Sequence, residues 1–165
     1  MGTYFGYHSK DQLVKELTEE SSVHDYSLRG NCLWLLRKSK WNGKMFIELC
    51  LIKTYGGDWG YKPLSEGVHP YYYNCPERLL AKSEDDSETA INWRAKCRSV
   101  RSEQGEKQRL AEQIKAAPFG TQFGYRSKIV TLVDPGFYRV SRGRVACRFP
   151  NGDIFAVRVS DLCAV

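Results

Sequence analysis

The pattern of apolar and polar residues predicts a short helix close to the start of the chain. Leu13, Val14 and Leu17 recur at the spacing of one helical face. Ser9 precedes them, and Gln12 stands three residues after that serine, which is a capping-box pattern. We therefore expect a helix over about residues 9–20, with its acidic face exposed to solvent.

A β-hairpin is predicted where two apolar runs flank Asn42-Gly43. Asn-Gly favours a two-residue type I′ turn, because both central residues of that turn have positive φ. The strands are expected at roughly 26–38 and 44–55. The second run is almost continuously apolar, which indicates burial on both faces. We therefore expect this hairpin to form the centre of an antiparallel sheet.

The segment GGDWGYKPLSEGVHPYYYNCPERLL, Gly56 to Leu80, is interpreted as an aromatic-rich loop that leads into a short helix. Asn74 and Glu77 form a pair that resembles a capping box. Pro76 suits a first helical turn, because the N–H that proline lacks is not needed there. The short helix is expected at about 75–81.

A longer helix is predicted after the acidic connector SEDDSE. Trp93, Cys97 and Val100 share one helical face. The stretch RSEQGEKQR is polar all round and contains Gly105, so two alternatives stay open. Either one long helix forms, or two helices join near this glycine. Pro118 ends the helical unit in both cases.

Short β-rich runs dominate the chain from Gln122 to its end. YRSKIVTLV, FYRV, RVACRF and IFAVRV are separated by turn-forming residues, and the SDL near the end is typical of a one-turn helix. Closely spaced strands of this kind predict a small SH3-like β-barrel. The expected fold is α+β: residues 1–120 form an antiparallel β-sheet built on the central hairpin and packed with helices, and residues 121–165 form the barrel-like module.

The charge of the chain predicts an anionic partner. The 165 residues carry a net charge of +6 at pH 7. The positive charge is concentrated in residues 126–148, where six cationic residues accompany a single acid, Asp134. Such an imbalance favours binding to nucleic acid or to an acidic protein face. The alternative is an ordinary solvated basic surface.

Two basic runs supply the candidate residues for binding nucleic acid or another anion. They are Arg94, Lys96, Arg98 and Arg101 on the long helix, and Arg139, Arg142, Arg144 and Arg148 in the C-terminal part. Residues two or four apart in a strand share a face, so Arg142, Arg144 and, if no bulge intervenes, Arg148 point the same way. Together with Arg139 they form a candidate phosphate-binding patch. The alternatives are a solvated helix face and the outer side of a half-buried strand.

Aromatic residues supply a second candidate surface for a partner. The candidates are Trp59, Tyr61, Tyr71, Tyr72 and Tyr73. Aromatic rings stack on nucleic-acid bases and line protein interfaces. The alternative is that these residues divide between the core and ordinary surface.

Cys75 and His69 form a candidate pair for cysteine catalysis. A cysteine in the first turn of a helix is stabilised as a thiolate, and a histidine nearby is a candidate base. No third orienting group and no oxyanion donor follow from the sequence. The alternative is a buried cysteine that anchors the loop, and we accordingly expect no enzymatic activity.

Metal, cofactor and membrane binding are not expected from the sequence. The six cysteines and three histidines show no metal-ligand spacing. No nucleotide-binding glycine motif is present, so no cofactor is expected. No apolar run is long enough to span a membrane and no signal peptide is recognisable, so we expect a cytoplasmic protein with reduced thiols.

Three short motifs connect the middle of the chain to a known family. They are Gly60-Tyr61-Lys62, CPERLL at residues 75–80, and an A-x-x-WR-x-x-C pattern that ends at Cys97. With them, the chain resembles a family of small uncharacterised proteins encoded by phages, plasmids and other mobile elements. The resemblance implies an accessory gene of such an element, and the family brings no established activity. Tyrosines at 71–73 stand where family members tend to carry extra cysteines, so no family metal site transfers.

Three functions follow from these features as hypotheses. The first is a non-enzymatic accessory protein that binds nucleic acid or a nucleoprotein complex through its basic faces. The second is a protein-binding inhibitor of a host defence system, of the anti-restriction or anti-CRISPR type. The third is a cysteine-dependent enzyme that uses Cys75.

Overall fold

The computed structural model describes residues 2–67, 72–136 and 140–165 of the chain. The chain divides into two compact units, Met1–Arg101 and Ser102–Val165. Within the described residues each unit contains one antiparallel sheet together with helical residues. The α+β prediction is therefore confirmed.

The first unit is built on a sheet with the strand order β1-β5-β4-β3-β2. Its elements in chain order are β1 (Tyr4–Tyr7), α1 (Lys10–Thr18), β2 (Val23–Arg29), β3 (Cys32–Lys38), β4 (Met45–Tyr55), β5 (Asp58–Ser65), α2 (Glu77–Leu80) and the first part of α3 (Glu88–Ala116). The β3–β4 hairpin lies in the interior of this sheet, as predicted.

Both faces of the β3–β4 hairpin are buried. One face carries Trp34, Leu36, Ile47 and Leu49, and it packs against residues of α2 and α3. The opposite face carries Leu33, Leu35, Cys50 and Ile52, and it packs against α1. Two covered faces explain why these strands are almost continuously apolar instead of alternating.

Arg37 is a charged residue buried at the end of this apolar run, with 9% of its surface exposed. Its guanidinium donates hydrogen bonds to Glu48 on β4 (2.7 Å), to Glu20 (2.5 Å) and to Ser22 (2.9 Å). A buried cation is costly unless it is paired and hydrogen-bonded, and these three partners meet that requirement.

The turns on either side of β3 differ from the predictions. The strand predicted at 26–38 is two strands, because Gly30 adopts a φ of 58° and the chain reverses between β2 and β3. The predicted type I′ turn is wrong, since Gly43 has positive φ but Asn42 does not. The Asn42 side chain instead accepts a hydrogen bond from the Lys44 N–H (3.0 Å), within a wider loop of residues 39–44.

The helices agree with the predictions in two cases and differ in one. Helix α1 is capped as expected, because the Ser9 hydroxyl accepts a hydrogen bond from the Gln12 N–H (3.1 Å). Helix α3 is continuous through Gly105, which selects the single-helix alternative. The predicted Asn74 cap is wrong: Pro76 takes the N-cap position of α2 without a side-chain bond, and α2 is one turn long.

Strand β5 occupies part of the segment that was expected to be a loop. The apolar alternation there is interrupted by Gly60 and Pro63, residues that weaken a strand prediction. Gly60 is buried opposite Phe5 of β1. A Cβ atom at this position would overlap the Tyr4 carbonyl oxygen and the Phe5 ring, so glycine is what allows β1 to pair here.

The second unit contains the rest of α3 and a sheet with the order β10-β6-β7-β8-β9. Its elements are β6 (Gln122–Tyr125), β7 (Lys128–Leu132), β8 (Arg144–Arg148), β9 (Ile154–Arg158), a 3-10 helix (Val159–Asp161) and β10 (Leu162–Cys163). The 3-10 helix overlaps the predicted one-turn helix. Residues 137–139 of the predicted FYRV strand lie outside the described residues.

The core of the second unit lies between this sheet and the end of α3. Phe123, Val130, Cys147 and Val157 of the strands pack with Ile114 of the helix. Among the described residues, β9 and β10 form the two edges of the sheet and do not pair with each other. Within these residues the strand pairing therefore establishes an antiparallel sheet, and the SH3-like barrel stays a prediction.

Replacing Gly60 by alanine should destabilise the protein by about 1–3 kcal/mol, because the added methyl group overpacks the contact between β1 and β5. Urea unfolding followed by circular dichroism measures the change. Gly105→Ala is the matched control, since Gly105 is exposed within α3 and its new methyl group meets no neighbour. This control should be neutral or stabilise by up to about 1 kcal/mol. Equal effects of the two substitutions would contradict the prediction.

Candidate nucleic-acid interface

Arg94 of α3 forms a buried ion pair with Glu66. Its side chain is 11% exposed and that of Glu66 is 1% exposed. The guanidinium donates hydrogen bonds to Glu66 (2.5 Å), to the Ser83 hydroxyl (2.9 Å) and to the Asp85 carbonyl (2.6 Å). Glu66 also accepts a hydrogen bond from the Ile47 N–H of β4 (2.9 Å). Arg94 therefore ties the end of β5 and the acidic connector to α3.

Two further arginines of the predicted basic run converge on one carboxylate. Arg98 donates a hydrogen bond to Glu77 at 2.9 Å, and Arg101 donates to Glu77 and to the carbonyl oxygen of Cys75. Burial opposes ionisation of Glu77, but the bonds from the two arginines outweigh it and lower the pKa of this carboxyl. The remaining member, Lys96, is exposed. The basic run of α3 thus mainly secures the segment around α2.

Arg94→Met should destabilise the protein by about 3–5 kcal/mol, because it leaves the Glu66 carboxylate buried without its cation. Adding Glu66→Gln should restore part of the loss, since an amide oxygen still accepts the bond from Ile47. Chemical denaturation of both variants provides the measurement. Lys96→Met on the same helix is the control and should change stability by less than about 0.5 kcal/mol. A small effect of Arg94→Met would show that the pair has no structural role.

Cys75 lies buried between the loop and α3, and His69 lies outside the described residues. Burial raises the pKa of the Cys75 thiol far above its ordinary range. Burial likewise raises the pKa of Cys97, the last residue of the WR-x-x-C pattern, to about 11. Both thiols are therefore protonated near neutral pH. Such burial matches the alternative in which Cys75 anchors the loop.

Alkylation with iodoacetamide near pH 8 should separate the exposed and buried thiols, because only thiolates that reagent can reach will react. Cys163 is exposed and should be labelled in the native protein, whereas Cys50, Cys75 and Cys97 should react only after unfolding. Mass spectrometry of the digested protein identifies the labelled residues. Rapid labelling of Cys75 in the native protein would contradict this expectation and would support Cys75 as a nucleophile.

The candidate aromatic residues are distributed over two faces of the first sheet. Trp59 and Tyr61 pack with the cluster on the α1 side, and Tyr72 and Tyr73 pack with the opposite cluster. Tyr61 stacks on Tyr4 with ring centroids 5.3 Å apart, and burial raises its pKa to about 12. Tyr71 lies outside the described residues. These rings do not form one continuous surface within the described part of the chain.

The C-terminal arginines lie on the second sheet. Arg144 and Arg148 stand four residues apart on β8 with an unbroken register, so their side chains share a face. Arg158 of β9 lies directly opposite Arg144 and belongs to the same face. Arg142 is exposed just before β8, and Arg139 lies outside the described residues.

A groove of about 770 Å³ in the second unit brings several of these groups together. Its cationic residues are Arg126, Lys128, Arg144 and Arg158, its aromatic residues are Tyr125, Phe149 and Phe155, and its acid is Asp161. All four cationic residues are exposed. Within the described residues none of these four takes part in an ion pair, so their charges are available to an anion. We call this feature the basic groove.

The three aromatic rings of the basic groove pack edge to face. Tyr125 and Phe149 have ring centroids 5.5 Å apart at an interplanar angle of 80°. Phe149 and Phe155 are 5.4 Å apart at 83°. Mutual packing of this kind is favourable and holds each ring in a defined orientation. Phe155 is nevertheless 55% exposed.

Two arginines of the basic groove are held in place by the fold. The Arg126 guanidinium lies 5.3 Å from the centroid of the Tyr125 ring, within range of a cation–π interaction. Arg126 has a φ of 53° in the tight turn between β6 and β7, a conformation that costs a non-glycine residue about 1–2 kcal/mol. Arg144 donates a hydrogen bond to the Ala156 carbonyl (2.8 Å).

Sequence reasoning found only part of the basic groove. Arg144 was a candidate, and Arg126 and Lys128 belonged to the basic region that predicted an anionic partner. Arg158, Tyr125 and the two phenylalanines were missed, because they come from separate segments that only strand pairing brings together. The available signal was the aromatic residue next to a cation in Tyr125-Arg126 and in Arg148-Phe149.

Comparison with protein-family models, with curated proteins and with solved structures finds no match to this chain. In the residues that the structure describes, no group of three or more His, Cys, Asp or Glu side chains is arranged to hold a metal ion. Among the described helices, none has the length and apolarity needed to cross a membrane. The site is therefore interpreted from its own geometry.

Proposed function

We propose that this chain is a non-enzymatic accessory protein that binds nucleic acid through the basic groove of its second unit. The observation that carries the proposal is the grouping of three aromatic rings with four cationic side chains, none of which forms an ion pair within the described residues. Cationic residues neutralise backbone phosphates, and aromatic rings contact bases. Asp161 is the one acid among the lining residues, so the groove keeps a net positive charge.

Two further features support the proposed biological role and the proposed fold of the second unit. The motif resemblance supports an accessory gene of a phage, plasmid or other mobile element, whose product works in the cytoplasm of the host cell. The strand order β10-β6-β7-β8-β9, with a 3-10 helix between β9 and β10, supports an SH3-like arrangement of the second unit. Small β-folds of this kind present ligand surfaces on strands and hairpin loops.

The second candidate function is a protein-binding inhibitor of a host defence system. It is favoured by aromatic residues exposed beside β1, where Tyr55 is 77% exposed and its ring centroid lies 6.0 Å from that of Phe5. Exposed aromatic rings are enriched at the centres of protein interfaces. This function uses a different surface, so substitutions in the basic groove would leave the protein partner bound.

The double substitution Lys128→Gln and Arg158→Gln should weaken binding to nucleic acid, because it removes two phosphate contacts. In electrophoretic mobility assays the logarithm of the affinity should depend less steeply on the logarithm of salt concentration, by about one unit per residue removed. Lys107→Gln with Lys115→Gln is the control, since it removes the same charge from exposed positions of α3 in the same unit.

The control pair should retain the affinity of the unmodified protein. If the unmodified protein retards no DNA or RNA at about 50 mM salt, where electrostatic binding is strong, the proposed function is wrong. Equal weakening by both pairs would mean that net charge, and not the basic groove, determines binding.

A further inference from the structure

We infer that the basic groove takes a single-stranded segment of nucleic acid, with a base stacked on Phe155 and phosphates held by the surrounding cations. This inference rests on the proposed function and specifies its ligand. In a duplex the faces of the bases are already stacked on one another, so an aromatic ring has no base to contact. A single strand offers both phosphates and free base faces.

The first argument is the exposure of an aromatic ring among charges. More than half of the Phe155 surface is exposed, and this residue lines the basic groove together with Arg144 and Arg158. A phosphate-binding surface for duplex DNA requires cations and gains nothing from a large apolar ring. Base–aromatic stacking, by contrast, contributes about 1–3 kcal/mol per base, and it requires an exposed ring of this kind.

The second argument is the edge-to-face packing behind that ring. Phe149 contacts both Phe155 and Tyr125 edge to face, so the three rings support one another. A supported ring loses little side-chain entropy when a base stacks on it, because its orientation is already restricted. The set is therefore arranged as a preformed stacking surface.

The third argument is the placement of the cations. Arg126 lies in the β6–β7 turn and Lys128 begins β7, whereas Arg144 and Arg158 come from paired positions of β8 and β9. The groove thus has two pairs of cations from different parts of the sheet, and aromatic residues come from both parts. Such a distribution suits a chain of phosphates that passes the rings, with bases turned toward them.

Arg126 provides an independent indication. Glycine would adopt its φ of 53° without strain, whereas arginine does so at a cost in stability. In this conformation the Arg126 guanidinium lies above the Tyr125 ring at the groove. Guanidinium planes stack on unpaired bases and also bind phosphates, which a glycine in this turn would not provide.

The test measures the affinity of the full chain for three fluorescein-labelled probes of equal length by fluorescence anisotropy. The probes are oligothymidylate, oligouridylate and a DNA duplex, each of about 12 nucleotides or base pairs, which exceeds the smallest single-strand sites of small β-folds. We expect at least one single strand to bind about tenfold more tightly than the duplex. The two single strands distinguish DNA from RNA as the source of the ligand.

The salt dependence gives a second readout of the same complex. A single strand releases about 0.7 counterion per phosphate neutralised, so four cations limit the slope of log affinity against log salt to about −3. A steeper slope would require phosphate contacts outside the basic groove and would overturn the assignment of the site.

Two variants test the stacking surface. Phe155→Leu keeps an apolar side chain but removes the ring, and it should lower single-strand affinity about 5- to 150-fold, the equivalent of 1–3 kcal/mol, while leaving duplex binding unchanged. Arg126→Gly should fold with undiminished stability and still lose single-strand affinity. If Phe155→Leu fails to fold, the affinity of Arg126→Gly and the salt dependence of the unmodified protein still test whether a single strand binds in the basic groove.

The outcomes separate the inference from the proposed function. Equal or tighter binding of the duplex, or unchanged affinity of Phe155→Leu, overturns the inference and leaves nucleic-acid binding intact. Failure to bind any of the three probes overturns both. Binding of polyglutamate, displaced by neither single strand and weakened by Lys128→Gln, would identify the occupant as an acidic peptide and also overturn both.

Discussion

The buried ion pair between Glu66 and Arg94 is the contact on which the arrangement of the first unit depends. Removing two charges from water is costly. This cost is offset by the hydrogen bond that the Ile47 N–H donates to Glu66 and by those that Arg94 donates to the Ser83 hydroxyl and the Asp85 carbonyl. A strand, a connector and a helix meet at this one carboxylate.

The ion pair also accounts for one residue of the WR-x-x-C pattern, and a second set of hydrogen bonds accounts for CPERLL. In the WR-x-x-C pattern, Trp93 and Cys97 face the core while Arg94 reaches Glu66. In CPERLL, Glu77 accepts bonds from Arg98, and its leucines are buried. The motifs therefore describe how a loop and a one-turn helix attach to α3. Three of the four cations in the basic run of α3 therefore form hydrogen bonds within the first unit.

The fold could be predicted wherever local pattern and local chemistry agree. Apolar spacing and the Ser9 cap were sufficient for α1, and continuous apolarity was sufficient for the central hairpin. Prediction failed at two positions: a turn at Gly30 divides the strand predicted at 26–38 into two, and β5 forms through its pairing with β4 in a segment that carries a glycine and a proline. The candidate site depended even more on pairing, since Arg158 faces Arg144 only through the β8–β9 register.

Burial of both faces of β3 has a consequence for how its strands find their register. In most sheets a slip by one residue would move apolar side chains into water, and this penalty selects the correct pairing. From Leu33 to Leu36 every residue of β3 is buried, so such a slip would exchange one apolar face for another. Arg37 breaks the degeneracy, because only the native register brings its guanidinium to Glu20 and Glu48. One charged residue at the end of an apolar strand thus favours the observed register of β3 with β2 and β4.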